Sequence, residues 1–231
     1  MKKNAGRLRR ALTESHALAK RLDEPGFQLA EFEIVQAWQR QRLAQTYADL
    51  ISRDRYSAAG EFFLTELYGG LHFRERDQEV ARVLPVMVRM LRDDMLLALA
   101  EAFELQSLSL SLDMDMAAIV RKSGWDELNI HRYGETYRAC GRRADREKQV
   151  ETIRDLGLVL NELVHHRLVL WLIRTVRGPA RAAGFGRLQS FLEQGLTAFR
   201  IMGDGSTFIE TIWKKETDVM RRLMAADDNP F

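Results

Sequence analysis

Cysteine is almost missing from this chain. Cys140 is the only one in 231 residues, so no internal disulfide can form and a cysteine-rich metal site is excluded. A single thiol suits a reducing compartment, and the expectation is a cytoplasmic protein. Proline is scarce as well, with 4 residues. Proline removes a backbone donor and clashes with the preceding helical turn, so its rarity leaves room for long helices. No long uncharged apolar run occurs. The richest stretch, Met95 to Leu112, is interrupted by Glu101 and Glu104, and no transmembrane segment is expected. The basic start is not followed by the apolar stretch of a secretory signal. Neither sign of charge dominates: 35 basic and 33 acidic residues leave +2, too little to advertise nucleic-acid binding by the chain as a whole.

What is present is helix. Hydrophobic residues make up 46% and charged residues 29%, a balance that supports a packed core rather than disorder. Apolar residues recur three and four apart nearly throughout. Leu8, Leu12, Ser15, Ala19 and Leu22 predict a helix over Ala5 to Leu22, punctuated by Pro25-Gly26. A long helix is expected from about Phe27 to about Arg55. Its apolar side is Phe27, Ala30, Ile34, Ala37, Trp38, Ala44, Ala48 and Ile51. A short helix covers Glu61 to Tyr68 and stops at Gly69-Gly70. The next runs from about Glu75 to Leu91, bent or broken at Pro85.

Asp93 and Asp94 suit the N-terminus of a helix that is apolar on two sides and therefore central. Within it, Leu108-Ser109-Leu110-Ser111-Leu112 alternates like a strand. Its flanks are helical and no partner strand is evident, so a helix or a helix break is read there. Helices near Glu127 to Cys140 and Ala144 to Arg177 follow, the latter burying Val150, Ile153, Gly157, Leu160 and Val164. Leu188, Phe191, Leu192, Gly195, Phe199 and Met202 form the cleanest stripe, and Ser206 or Thr207 caps a last helix to about Ala225. The fold class is all-α: one globular domain over residues 1–231, about eight or nine helices in bundle-like or orthogonal packing.

Few residues point to chemistry. Glu162 and His165 lie at i and i+3, as di-iron bundles present ligands, but a second Glu-x-x-His copy is lacking. His131 and Glu135 are neighbours at i and i+4, which leaves no metal site assigned. His165-His166 with Trp171 could ligate haem, although adjacent histidines point about 100° apart on a helix and only one can face a pocket. Haem is therefore an alternative and no cofactor is assigned. Cys140 beside Arg142-Arg143 could have a lowered pKa, and a buried thiol is the plainer reading. Gly203-Asp204-Gly205-Ser206-Thr207 lacks the lysine of a phosphate loop and reads as a turn. Trp125, Tyr133 and Tyr137, with His131 and Arg132, could line a pocket, and aromatics at helical spacing are more often core. No catalytic residue is assigned. The pocket candidates are His131, Tyr137, His165 and His166.

The two ends of the chain carry their own patterns. Residues 1–24 are expected to form a basic amphipathic helix, and Met1 to Leu22 carries Lys2, Lys3, Arg7, Arg9, Arg10, Lys20 and Arg21 against Glu14 alone. It could lie on nucleic acid or a membrane, or dock on its own domain with a solvated basic face. Residues 227–231 are expected to be an exposed acidic tail. Asp227, Asp228, Pro230 and Phe231 resemble the acidic tip that ends bacterial single-stranded-DNA-binding proteins, which docks on partners through its phenylalanine and terminal carboxylate. The resemblance covers five residues and implies a candidate protein-docking tail.

A second resemblance rests on scattered fragments: Phe62-Phe63, Leu67-Tyr68-Gly69, Arg76-Asp77, Pro85, Arg146, Gln149, Pro179-Ala180, Gly184, Leu188, Phe191-Leu192, Gly195, Ala198-Phe199 and Met202. Together they resemble a family of uncharacterised all-helical bacterial proteins, over roughly Gly60 to Glu216. The resemblance implies a bacterial, helical, one-domain protein and transfers no activity. The reading of the whole sequence is a non-enzymatic helical protein acting through protein–protein interaction, as a homodimer. The alternatives are a helical ligand- or cofactor-binding protein, which could be an enzyme, and a nucleic-acid-associated factor using the basic arm.

Overall fold

Helix α6, Asp93–Ser123, is the longest of the described elements, and four other helices pack against it. The computed structural model describes residues 2–67, 73–164, 177–178 and 182–231. In chain order it contains α1 (Ala5–Lys20), a 3-10 turn (Arg21–Asp23), α2 (Leu29–Thr46), α3 (Ala48–Ile51), α4 (Asp54–Phe62) and a π-helical turn (Phe63–Leu67). Then come α5 (Phe73–Met90), α6, α7 (Ile130–Ala139), α8 (Arg143–Leu163), α9 (Gly186–Met202) and α10 (Ser206–Met224). There is no strand among the described residues, and the fold is all-α. The alternating segment Leu108 to Leu112 lies inside unbroken helix.

Burial on both sides explains the position of α6. Helices α1, α2, α7 and α8 all pack against it. It is the one described helix long and apolar enough to cross a membrane by length and composition. Here its charged residues engage protein partners: Glu101 and Glu104 pair with Arg7 of α1, and Asp115 pairs with Arg142. Basic helix α1 is docked, with Leu8, Ala11, Leu12, Ser15 and Ala19 buried. The Asp93 carboxylate accepts from the Asn4 backbone N–H at 3.0 Å, so one acid ties the start of α6 to the start of α1.

The ends of the helices are held by side chains at particular places. Asn129 accepts from the backbone N–H groups of His131 and Arg132, both at 3.0 Å, and so caps α7. Glu79 accepts from the Leu188 N–H at 2.7 Å at the start of α9. For α10 the expected caps Ser206 and Thr207 yield to neighbours. Asp204 accepts from Ser206 N–H at 3.0 Å, and Asn161 accepts from Gly205 N–H at 2.7 Å.

The segment expected as one helix from Phe27 to Arg55 is three. Tyr47 leaves helical geometry at φ −108° and ψ 9°, and Arg53 is extended at φ −79° and ψ 124°. The buried side of α2 is Phe32, Val35, Gln39 and Leu43, whereas Ala30 and Ala37 are exposed. The apolar face that suggested self-association is therefore not presented by one long helix. Pro85 lies inside α5, which continues past it to Met90. Its exposed position lets water satisfy the carbonyl that proline leaves unpaired.

The tail also departs from expectation. Asp227 and Asp228 are exposed, but Pro230 is buried and Phe231 half-buried. The Phe231 ring lies 5.5 Å from Trp38 and 6.4 Å from Tyr133, centroid to centroid. The last two residues thus fold back onto α2 and α7. Apolar burial outweighs the freedom of the terminus. Removing Pro230 and Phe231 should lower stability by about 1–2 kcal/mol, from the apolar area returned to water. Urea unfolding of the truncated chain measures it, and an unchanged midpoint would show that the tail does not hold the fold.

The α9 stripe packs as its pattern implies. Gly195 faces Phe62 of α4 so closely that an added Cβ would sit 2.8 Å from the ring carbon Cζ. Gly195→Leu should destabilise by about 1–3 kcal/mol through overpacking. Combining it with Phe62→Ala should recover part of that loss if this contact is the cause, as a double-mutant denaturation cycle would report.

Candidate functional site

Where α2, α6, α7, α8 and α10 converge, the interior is neither solid nor apolar. A cavity of about 70 Å³ opens there, several times the ~10–15 Å³ that one internal water requires. Gln39 and Arg42 come to it from α2, Ser109 and Asp113 from α6, Tyr133 and Tyr137 from α7. Arg146, Gln149 and Ile153 come from α8, and Trp213 and Glu216 from α10. A second hollow of about 20 Å³, bordered by Leu43, Ile51 and Phe208, is apolar. Phe63, in the π-helical turn, borders both.

The charged groups of the larger cavity are matched unequally. Arg42 Nη1 donates to Glu216 at 2.5 Å, and the Tyr47 hydroxyl donates to the same oxygen at 2.7 Å. The guanidinium also lies over the Phe231 ring, 5.4 Å from its centroid. Asp113 accepts from Gln39 at 3.1 Å and Gln36 at 3.4 Å. Arg146 is only 5% exposed. It donates to Gln149 at 3.2 Å and to the Met116 sulfur at 3.0 Å, and it lies over the Tyr137 ring at 4.6 Å. Among the described residues it has no carboxylate within 4.0 Å. The Nε atoms of both Arg42 and Arg146 are buried without a hydrogen-bond partner.

Burial and charge set the titration of these groups. Burial pushes the Asp113 carboxyl up, against the opposing pull of Arg146 and the two glutamines. Burial likewise raises the Tyr133 and Tyr137 phenols, so both remain hydroxyl donors at neutral pH. Burial alone would lower Arg42, but Glu216 beside it more than compensates and its pKa is raised.

A family comparison matches residues 12–230 to the domain of unknown function DUF8198. The chain belongs to the DUF8198 family. No curated protein and no solved structure matches it. Every residue of the cavity falls within the matched span.

Of the pocket residues proposed from sequence, Tyr137 lines this DUF8198 cavity. Tyr133, one turn earlier, lines it too and stacks on Trp38 at 3.9 Å. His131 is exposed, as is Glu135, so neither meets the cavity. The face of α7 that carries them points to water while Tyr133 and Tyr137 point inward. Trp125 is half-buried beneath Arg132, at 5.7 Å. Glu162 is exposed, and His165, His166 and Trp171 lie outside the described residues. Burial pushes the Cys140 thiol up to about 11, so the nearby arginines do not activate it. Among the described residues no group of three or more His, Cys, Asp or Glu side chains could hold a metal ion.

Gln39, Arg42, Asp113 and Glu216 were not singled out from the sequence. The available signal was a polar residue on a largely apolar helix face, as Asp113 is with Leu110, Met116 and Ala117 three and four residues away.

Asp113 gives this site a pH signature. Its folded pKa is raised above the ordinary 3.8, so the folded chain holds a proton where the unfolded chain has lost it. Stability therefore falls as pH rises from that ordinary value through the folded one. Asp113→Asn is neutral throughout. Urea unfolding from about pH 4 to about pH 8 should show the variant gaining stability relative to wild type as pH rises. A pH-independent difference would exclude Asp113 as the titrating group.

Proposed function

We propose that this protein is a helical binding protein for a small polar molecule, held in the cavity between α2, α6, α7, α8 and α10. The observation that carries the reading is the lining. Arg42, Arg146, Asp113 and Glu216 border one open space inside the helical packing. Buried polar atoms are ordinarily satisfied, and internal cavities that stay empty are ordinarily apolar. A hollow bordered by two guanidiniums and two carboxyl groups suits a polar guest. The π-helical turn at Phe63 borders the same space, and π turns often occur at functional sites.

Interaction through helical surfaces has less behind it. The docking tail it invoked has Phe231 packed on Trp38 and Tyr133. The basic arm retains exposed Lys3, Arg9, Arg10, Lys20 and Arg21, while Arg7 is paired with Glu101 and Glu104. The haem reading depends on His165 and His166, outside the described residues.

Native mass spectrometry of the gently purified chain tests the proposal. A retained small molecule should add mass, and Ile153→Trp, which fills the cavity from α8, should remove it. At a hundredfold excess over its Kd the guest stabilises the fold by about 2.7 kcal/mol, so melting should rise in wild type and not in the variant. A bare mass, with no saturable stabilisation of wild type by small polar compounds, would refute the binding role.

A further inference from the structure

We infer that the guest of this cavity is an uncharged carbonyl compound, a small amide or ketone, and that the Tyr137 hydroxyl donates to its carbonyl oxygen. The inference rests on the binding reading above and narrows it to one ligand class. It begins from the polar groups that the fold has already committed. Glu216 takes Arg42 and Tyr47 on one oxygen. Asp113 takes Gln39 on one oxygen and Gln36 on the other. Gln39 also hydrogen-bonds Tyr133. Arg146 donates to Gln149 and Met116, and Gln149 donates to Ser109 at 2.7 Å. Trp213 Nε1 reaches Glu151 at 3.0 Å. Among the described residues, Tyr137 is the one polar side chain of the lining with no hydrogen-bond partner. It is only 6% exposed. The partnerless polar atoms sealed from open space are His16 Nε2, Arg42 Nε, Arg146 Nε and Thr217 Oγ1. The Tyr137 hydroxyl is not one of them, so it touches open space. The charges that act on it, those of Arg146, Glu216 and Arg42, all border this cavity. Burial keeps the phenol protonated at neutral pH, so it presents a proton to an acceptor.

The charges of the lining decide between neutral and ionic guests. Arg42 and Arg146 stand against Asp113 and Glu216, two of each sign. A guest of unit charge, whether anion or cation, would leave one charge unmatched where desolvation makes charge costly. An uncharged guest keeps the balance and answers the one open polar group. The rest of the lining describes its body. Val150, Ile153 and Trp213 add apolar wall, and Leu43, Phe63 and Ile212 are shared with the smaller apolar hollow. A carbonyl on a short hydrocarbon fits that combination.

The test is isothermal titration of the full chain at neutral pH and constant ionic strength. The probes are butanone and propionamide, against propionate and propylamine, which have nearly the same size and are charged. One neutral probe should bind saturably and at least about tenfold more tightly than either ion, the scale of leaving one buried charge unpaired. Tyr137→Phe keeps the ring and removes the hydroxyl. It should weaken that binding about fivefold, the loss of one neutral hydrogen bond. Without probe it should melt no lower than wild type, because the hydroxyl has no partner in the fold to lose. A variant that failed to fold would make the hydroxyl structural and overturn its role, while the ranking of the probes on the wild-type chain would still decide the ligand class. Propionate or propylamine binding as tightly as the neutral probes, or Tyr137→Phe leaving neutral-probe affinity unchanged, would overturn the inference. If the preferred ion then loses binding in Ile153→Trp, the cavity remains a binding site for a charged class. If no probe binds, the molecule retained in native mass spectrometry decides: an uncharged carbonyl compound supports the inference, and any other overturns it. A bare mass with no binding probe ends both readings.

Discussion

Two guanidinium groups inside a helical core set the terms for much of this structure. A buried charge is tolerated only when it is paired and hydrogen-bonded, and several otherwise separate features answer that demand for Arg42. Glu216 reaches it from α10, 174 residues along the chain. Tyr47 reaches the same carboxylate oxygen from the place where α2 gives way to α3. Phe231, at the far end of the chain, lays its ring against the guanidinium. The break after α2 and the folded-back tail thus converge on one ion pair.

That convergence explains which parts of the fold were legible. Helix α1 was read with its buried face correct because its apolar residues are all large or small hydrophobes at regular spacing. The two-sided pattern of α6 gave its central place, and Gly195 on α9 marked a close approach that Phe62 fulfils. Helix α2 was misread because its inward face includes Gln39 and Arg42, while the apolar pattern favoured a side with Ala30 and Ala37. Periodicity scores a polar side chain as outward. Only the partners on α6 and α10 make its burial tolerable, and those partners are remote in sequence.

The site was legible to a smaller extent and for the same reason. Tyr137 stood out as an aromatic one turn from Tyr133, and both do line the cavity. Arg146 and Gln149 stood out only as fragments of a family resemblance, yet they hydrogen-bond each other beside the open space. His131 attracted notice for its chemistry and proves to be exposed. Reactive residue types drew attention to the outer face of α7, whereas the polar groups enclosed by packing lie on its inner face and on four other helices.

Stability alone does not account for such an interior. Replacing a buried ion pair with well-packed apolar residues is often neutral or stabilising by about 1–4 kcal/mol, whereas removing one partner costs about 3–5 kcal/mol. A fold under no other constraint would do as well with leucines at these positions. Here Arg42 and Glu216 form a closed pair, which can also act as a fixed wall. Arg146 is different, because among the described residues it hydrogen-bonds an amide oxygen and a thioether sulfur and no carboxylate. Its charge is balanced across open space by Asp113, whose own ionisation is opposed by burial. An arrangement in which one cation is held rigid, desolvated and incompletely matched raises the free energy of the core.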